Sequence, residues 1–151
     1  MLGHTLSGQT LICRVSSRLC AIPLEAAVET LRPLPAQPVA GAPEFVRGLA
    51  LIRGAAVPVV DLGRLLGGTA TSAGRFVTVR LGADRRVALA VDEVVGVRTL
   101  APDSVAELPP LVHAAAGDAV EAGILDAELL LVLRQTLLVS LDALPGLEAR
   151  S

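Results

Sequence analysis

Short apolar runs, each broken by glycine, proline or a pair of polar residues, are the feature that most restricts how this chain can fold. The segments 10–15 (TLICRV), 75–81 (RFVTVRL) and 128–133 (ELLLVL) have the length of strands and are rich in valine, leucine and isoleucine. None approaches the roughly 20 apolar residues that a membrane-spanning helix needs. The pattern therefore predicts a mostly β protein with tight turns.

The N-terminal part of the chain predicts a hairpin. Residues 10–15 (TLICRV) and 18–22 (RLCAI) flank a short serine turn, so we expect them to pair as two strands. Cys13 and Cys20 would then lie close together. The first residues lack the basic start and unbroken apolar run of a signal peptide. We therefore expect reduced, buried thiols and no disulfide.

The next segment predicts an irregular crossing. Residues 24–31 (LEAAVETL) begin with a short helical pattern and then become extended. The segment 32–43 (RPLPAQPVAGAP) carries four of the ten prolines, which excludes a central strand or a helix interior. Pro43 and Glu44 suit the first turn of a short helix.

The central and C-terminal segments predict further strands. Residues 49–62 (LALIRGAAVPVVDL) indicate two short buried strands that turn at Gly54, after which Asp61 can cap the following turn. The small, polar segment 67–74 (GGTATSAG) predicts a loop between subdomains. The other predicted elements are a strand at 75–81, an extended segment at 86–100, a hairpin of VEAGIL and ELLLVL that turns at Asp126 and Ala127, and a helix at 135–144.

Composition narrows the classes of function. Hydrophobic residues make up 52% of the chain, but the only aromatic residues are two phenylalanines, so the core must be aliphatic. All 13 basic residues are arginine, and the formal net charge is -2. A protein of this charge without aromatic stacking residues lacks the surface that binds nucleic acids. We expect neither a nucleic-acid partner nor direct membrane insertion.

Catalytic and metal-binding patterns are missing. His4 and His113 are far apart and do not combine with the cysteines in the spacing of metal ligands. Asp92 and Glu93 are neighbours, so on a strand they would face opposite ways and could not share a proton. We expect a solvated edge or bend at this pair. Without lysine, a phosphate-binding glycine loop of the Walker type is impossible. The sequence therefore predicts no enzyme, no metal and no cofactor.

Two Arg-Gly pairs mark the densest pattern of the chain, VRGLALIRGAAVPVVDLGRLL at 46–66. Gly48 and Gly54 would allow the tight corners of a small barrel. Pro58 lacks an N–H group, so we expect it at an edge or a bulge. Arg53 allows two interpretations that the sequence leaves open. It pins local carbonyls or a carboxylate, or it projects into the groove of a partner.

This stretch resembles the signature of the CheW-like chemotaxis coupling domains. The family carries a glycine, a short apolar strand, Arg-Gly, an apolar pair, Pro-Val, and then an apolar residue before Asp-Leu. The segments CRVSSRLCAIPLEAAVETLRPLP, RRVALAVDEVVGVRTL and VEAGILDAELLLVLRQTLLVS are similar to other parts of the family, in the same order. The positions that match the signature are Gly48, Arg53, Gly54, Pro58, Val59, Asp61 and Leu62.

The resemblance implies a mostly β fold. Two SH3-like, five-stranded β-barrel subdomains would pack on a shared hydrophobic core, and a C-terminal helix would follow. The ranges that it implies are 10–144 for a single domain, 10–67 and 75–134 for the subdomains, 135–144 for the helix, and 1–9 and 145–151 for flexible tails.

The resemblance also implies a non-catalytic, cytoplasmic scaffold that is recruited to receptor arrays at the inner membrane. Its partners would be the regulatory domain of a CheA-type histidine kinase and the cytoplasmic tip of a chemoreceptor. Kinase contacts would fall on turns and edges around 46–60 and on loops of the second barrel. A receptor helix would lay its apolar face in a groove between the barrels. The residues implied to line this groove are Arg53, Val28, Leu31, Val94 and Val97, and plain core burial is the alternative for the four apolar ones.

Two other functions stay open from the sequence. One is a CheW-like adaptor that binds the kinase in a receptor-independent or non-chemotaxis pathway, and the other is a small ligand sensor with a pocket between the barrels. Two positions depart from the family pattern: Leu51, where asparagine is usual, and Thr30, where glutamate is frequent. Thr30 lies near the implied partner contacts, so its departure concerns the identity of the partner more than the fold.

Overall fold

The computed structural model describes residues 8–82, 85–100, 105–107 and 120–133. Strands dominate these residues, which confirms the mostly β fold. The elements are β1 (Gln9–Val15), β2 (Arg18–Pro23), β3 (Ala27–Leu31), β4 (Val46–Ile52), β5 (Ala55–Asp61), α1 (Leu62–Leu65), β6 (Arg75–Leu81), β7 (Arg85–Val91), β8 (Glu93–Thr99), β9 (Val105–Glu107), β10 (Val120–Leu125) and β11 (Glu128–Leu133).

The strands form two sheets with the same connectivity. The six-stranded sheet has the order β8-β1-β2-β11-β10-β9, and the five-stranded sheet has the order β3-β6-β7-β5-β4. In each, an outer strand pairs antiparallel with a hairpin, which pairs in parallel with a second hairpin. Strand β9 is an addition at the end of the six-stranded sheet. Strands β8 and β3 are therefore equivalent, as are the hairpins β10–β11 and β4–β5.

Each sheet contains strands from both halves of the chain. The hairpin β1–β2 belongs to the six-stranded sheet with β8–β11, whereas β3–β7 form the five-stranded sheet. Sheet membership thus cuts across the predicted ranges 10–67 and 75–134. The chain crosses between sheets at a turn over 24–26 and again at Asp92, where β7 ends and β8 begins. The division into two sequence-local subdomains stays a prediction.

The core has three layers because both faces of the central strands are buried. The middle layer joins the two sheets and contains Cys13 and Ile22 from one sheet and Val77 and Leu89 from the other. This confirms the predicted shared core. The second layer packs on the outer face of the six-stranded sheet, and the third, which contains Phe76, packs on the outer face of the five-stranded sheet. Burial on two faces explains why the strands read as continuous apolar runs instead of strict alternation.

Two local predictions are wrong. The helical pattern predicted at the start of 24–31 is a turn over 24–26 followed by β3, because the edge of the five-stranded sheet draws this segment into pairing with β6. Pro43 and Glu44 begin a turn and not a helix, with the Val46 N–H donating to the Pro43 carbonyl at 2.9 Å. The extended segment 86–100 is two strands, which separate at the bend of Asp92.

Barrel closure is not confirmed. Among the described residues β3 and β4 end the five-stranded sheet without pairing with each other, and the other sheet has six strands instead of five. Gln37, between β3 and β4, forms an isolated bridge with Leu49 through hydrogen bonds of 2.8 and 2.9 Å. The segment after β3 therefore folds back along β4. The predicted helix at 135–144 and nearly all of the predicted tails lie outside the described residues.

The described residues contain one helix, α1, which has four residues. No helix there has the length and apolar character needed to cross a membrane.

Candidate interaction site

Arg53 occupies a strained position at the tip of the β4–β5 hairpin. The two-residue turn has φ values of 52° at Arg53 and 81° at Gly54, as in a type I′ turn, the form that matches the twist of a hairpin. Glycine adopts this conformation freely, but a residue with a Cβ atom does so at a cost. An arginine here suggests that its side chain has a use at this tip.

The Arg53 guanidinium donates two parallel hydrogen bonds to the carboxylate of Glu29. The Nε–Oε2 distance is 3.0 Å and the Nη2–Oε1 distance is 2.7 Å. This pairing lowers the pKa of the Glu29 carboxyl below its ordinary value. Glu29 lies on β3 and Arg53 follows β4, so the ion pair joins the two outer strands of the five-stranded sheet. It spans the gap that the backbone pairing leaves open.

The structure thus shows Arg53 in one of its two predicted roles, in which it binds a carboxylate. Its side chain is nevertheless 72% exposed, against 23% for Glu29. A bidentate pair leaves part of the guanidinium edge and its flat face available to another molecule. Contact with a receptor stays a prediction.

The other Arg-Gly pair has an interior role that the sequence analysis missed. Arg47 donates to Asp61 Oδ2 from Nε at 3.1 Å and from Nη2 at 2.6 Å, and Nη2 also donates to the Thr71 carbonyl at 2.8 Å. Asp61 is buried, and its Oδ1 accepts from the Arg64 and Thr71 N–H groups, both at 3.1 Å. The predicted cap on α1 is present. The sequence gives no signal that separates Arg47 from Arg53, because both arginines precede a glycine and an apolar segment.

Gly48 meets a steric requirement at a bulge in β4. Val46 pairs with Val60 and Gly48 with Val59, which leaves Arg47 as an extra residue and turns its side chain toward Asp61. Gly48 has φ 141°, and a Cβ atom there would overlap the backbone carbonyl of Gln37.

Pro58 lies inside the sheet, which corrects the predicted edge position. Strand β5 lies between β4 and β7, so β4 and not β5 is the outer strand. Pro58 is opposite Leu49, whose N–H and C=O point outward to Gln37, so this pair exchanges no ladder hydrogen bonds. The parallel ladder with β7 begins only at Val59. The missing N–H of proline therefore breaks no ladder bond.

The four apolar groove candidates lie on the outer strands of two different sheets. Val28 and Leu31 are on β3, and Val94 and Val97 are on β8. Leu31 packs against the layer on the outer face of the five-stranded sheet, whereas Val94 packs against the middle layer. Val97 is 48% exposed, and Val28 is half-buried at a bulge. Core burial therefore does not account for Val97.

Asp92 ties three segments together where the chain crosses between the sheets. Its carboxylate accepts from the Ser16 N–H at 2.6 Å and from the N–H and Oγ of Ser72 at 2.7 and 2.9 Å. These bonds connect the β1–β2 turn and the loop 67–74 to the start of β8. The predicted bend is present, but the carboxylate is satisfied by protein donors and does not depend on water.

Within the described residues, no group of three or more His, Cys, Asp and Glu side chains could hold a metal ion. The carboxylates of Glu29, Asp61 and Asp92 accept hydrogen bonds from arginine side chains, from backbone N–H groups and from the Ser72 hydroxyl.

Comparisons with known proteins show the family to which this fold belongs. A family model described as "CheW-like domain" matches residues 9–142. The chain belongs to the CheW-like domain family. The crystal structure of the scaffolding protein TtCheW from Thermoanaerobacter tengcongensis is similar to this CheW-like domain, with a TM-score of 0.71 and 19% sequence identity over 85% of this chain and 89% of that one. The search of curated proteins found no match.

The structure describes the surroundings of Thr30 and Leu51, the two positions that depart from the CheW-like pattern. Next to the departure at Thr30, Glu29 carries a carboxylate that pairs with the Arg53 of the signature. The other departure, Leu51, leaves a leucine side chain 72% exposed on the outer strand β4. An apolar side chain at this position changes the surface and not the core.

Proposed function

We propose that this protein is a non-catalytic cytoplasmic adaptor that couples chemoreceptors to a CheA-type histidine kinase at receptor arrays of the inner membrane. The observation that carries the proposal is the match of the CheW-like domain model over nearly the whole chain. The described side chains support it, because they combine exposed apolar residues at sheet edges with exposed ion pairs.

The receptor would bind along the outer strands β3 and β8. A helix placed there would cover Val97, which an isolated domain leaves exposed, and would contact Leu31 and Val28 on the opposite side. The Arg53–Glu29 pair binds the middle of β3 and holds this strand to the β4–β5 hairpin. The kinase regulatory domain would contact turns and edges around 46–60, where Leu51 is exposed, and loops of the six-stranded sheet.

Calorimetric titration tests the proposal directly. The purified protein is titrated with a cytoplasmic receptor fragment and with the kinase regulatory domain, both from the same organism. We expect binding to both in the micromolar range, on the order of 10⁻⁶ M, as for transient signalling contacts. Binding to the kinase alone would favour the receptor-independent adaptor. Binding to neither partner by a folded protein would contradict the proposal.

Three variants decide the role of Arg53. Arg53→Ala and Glu29→Ala remove the two partners of one ion pair, and Arg64→Ala removes an exposed arginine that pairs with Glu44 elsewhere. If Arg53 only holds Glu29, the first two variants weaken receptor binding equally. If Arg53 also contacts the receptor, Arg53→Ala weakens it more. Arg64→Ala should leave receptor binding unchanged.

A further inference from the structure

Strand β8 is held in the same way as its structural counterpart β3. Both are outer strands that pair antiparallel with the first strand of a hairpin. Both contain a bulge at the corresponding position, with Val28 as the extra residue in β3 and Val95 in β8. An outer strand has ladder bonds on one side only, and a bulge weakens them further. The half of β8 that follows its bulge is bound on one side only, by β1, whose Thr10 hydroxyl also donates to the Arg98 carbonyl at 3.1 Å.

The hairpin turns near these two strands have similar backbone conformations: the β4–β5 turn lies near β3, and the β10–β11 turn lies near β8. The β10–β11 turn has φ values of 51° at Asp126 and 65° at Ala127, close to the values at Arg53 and Gly54 in the β4–β5 turn. Neither Asp126 nor Ala127 is glycine, so both residues carry the cost of a left-handed conformation. The first turn position carries a charged side chain in both hairpins, Arg53 in one and Asp126 in the other.

Arg98 of β8 reaches this tip. Its Nη1 lies 3.0 Å from Asp126 Oδ2 and its Nη2 lies 3.3 Å from Asp126 Oδ1. The pair joins the outer strand to the far hairpin, which β1 and β2 separate in the strand order, so the sheet curls to bring them within reach of these side chains. It repeats the Glu29–Arg53 pair with reversed charge, because here the strand supplies the cation and the turn supplies the anion.

We propose that Arg98 and Asp126 are positioning residues that hold β8, and with it the Val97 side of the receptor groove, in place. The inference rests on the proposed function for the groove itself. The Glu29–Arg53 and Arg98–Asp126 ion pairs then play equivalent roles. We call each of them a latch, because it restrains one outer strand. Since both pairs are exposed, each restrains its strand modestly and loses strength as salt is added.

Two variants test the latch. Asp126→Asn removes the charge, and asparagine tolerates the left-handed conformation of this turn. The reversed pair, Arg98→Asp with Asp126→Arg, places arginine in the turn as Arg53 already is in the other hairpin. Glu128→Gln is the control, because Glu128 pairs with Arg14 at 3.4 Å in the same sheet but involves no outer strand.

The first measurement is amide hydrogen exchange of β8, which needs no partner. We expect Asp126→Asn to raise the exchange of β8 amides by about two- to five-fold, the range for one exposed ion pair. The reversed pair should restore slow exchange, Glu128→Gln should leave it unchanged, and high salt should reduce the difference. Unchanged exchange in Asp126→Asn would overturn the latch.

The second measurement is affinity for the receptor fragment. Asp126→Asn should weaken it by about two- to five-fold, and the reversed pair should restore it. Faster exchange with unchanged affinity would overturn the positioning role. Failure of the wild-type protein to bind the receptor would contradict the proposed function instead, and the exchange result would still decide whether the latch exists.

Discussion

At the scale of single residues, the two arginines of the Arg-Gly pairs carry out different tasks in different surroundings. Arg47 neutralises the buried carboxylate of Asp61, whereas Arg53 holds Glu29 at the surface. Loss of one partner of a buried ion pair is costly because the other charge stays buried without a counterion, while an exposed pair contributes little. The same dipeptide therefore stabilises the fold at 47–48 and shapes a surface at 53–54.

Removal of Arg47 should destabilise the protein markedly. Arg47→Ala leaves Asp61 buried without its counterion, and we expect a loss of about 3 kcal/mol in the free energy of unfolding, measured with urea. Glu44→Ala is the control, because Glu44 pairs with Arg64 at 3.4 Å on the surface and its side chain is 86% exposed. That variant should cost less than about 1 kcal/mol. Equal losses in the two variants would contradict the assigned role.

The buried thiols should make the protein sensitive to alkaline pH. Burial raises the pKa of Cys13 and of Cys20 from 9.0 to about 12. Below pH 9 both thiols are protonated in the folded and unfolded states, so stability does not depend on them. Above pH 9 the unfolded chain releases these protons while the folded protein keeps them, so stability falls as the pH rises.

The expected slope is about 1 kcal/mol per thiol for each pH unit above 9, measured by urea unfolding at several pH values. The sequence has no lysine or tyrosine to obscure this range. In the variant Cys13→Ala/Cys20→Ala the slope should disappear even if stability at neutral pH is lower. An unchanged slope in that variant would refute the assignment.

At the scale of elements, turns and bulges decide where side chains point. The bulge at Arg47 turns its guanidinium inward, and the left-handed turns at Arg53 and Asp126 place charged groups opposite the outer strands. These are local irregularities in the backbone, and the polar contacts of the candidate site depend on them. The regular parts of the strands supply the core.

Alanine substitutions at two glycines with positive φ distinguish the cost of steric overlap from the cost of backbone strain. A Cβ atom at Gly48 (φ 141°) would overlap the Gln37 carbonyl, whereas one at Gly96 (φ 154°) would meet no atom within 4 Å. Gly96→Ala should therefore cost only conformational strain, about 1–2 kcal/mol. Gly48→Ala should cost more than that, since β4 must also move away from Gln37. Thermal unfolding of both variants checks the order, and a smaller loss for Gly48→Ala would be the contrary result.

At the scale of the whole molecule, exchange of strands between sheets joins the two halves of the chain. The six-stranded sheet needs both β1–β2 and β8–β11, and the middle layer of the core draws side chains from both sheets. Neither half of the sequence can complete a sheet of its own. The fold therefore behaves as a single cooperative unit, despite its two similar sheets.

Separate expression of residues 1–74 and 75–151 tests this cooperativity. We expect each fragment alone to lack the circular dichroism spectrum of a folded β protein, and an equimolar mixture to recover it in part. The intact chain should unfold in one transition when followed by circular dichroism and by hydrogen exchange. A fragment that folds alone would support the sequence-local subdomains 10–67 and 75–134 instead.

Sequence patterns were sufficient to predict most of the described strands, several tight turns, the Asp61 cap and the family. These features depend on a few neighbouring residues, such as Asp61 before Leu62 or the apolar run 75–81, so local patterns are sufficient to predict them. The tertiary structure alone decided which sheet each strand joins, that Pro58 is interior, and that Arg47 is bound to Asp61 while Arg98 reaches Asp126. Such choices follow from packing between residues far apart in the chain, and no local pattern encodes them.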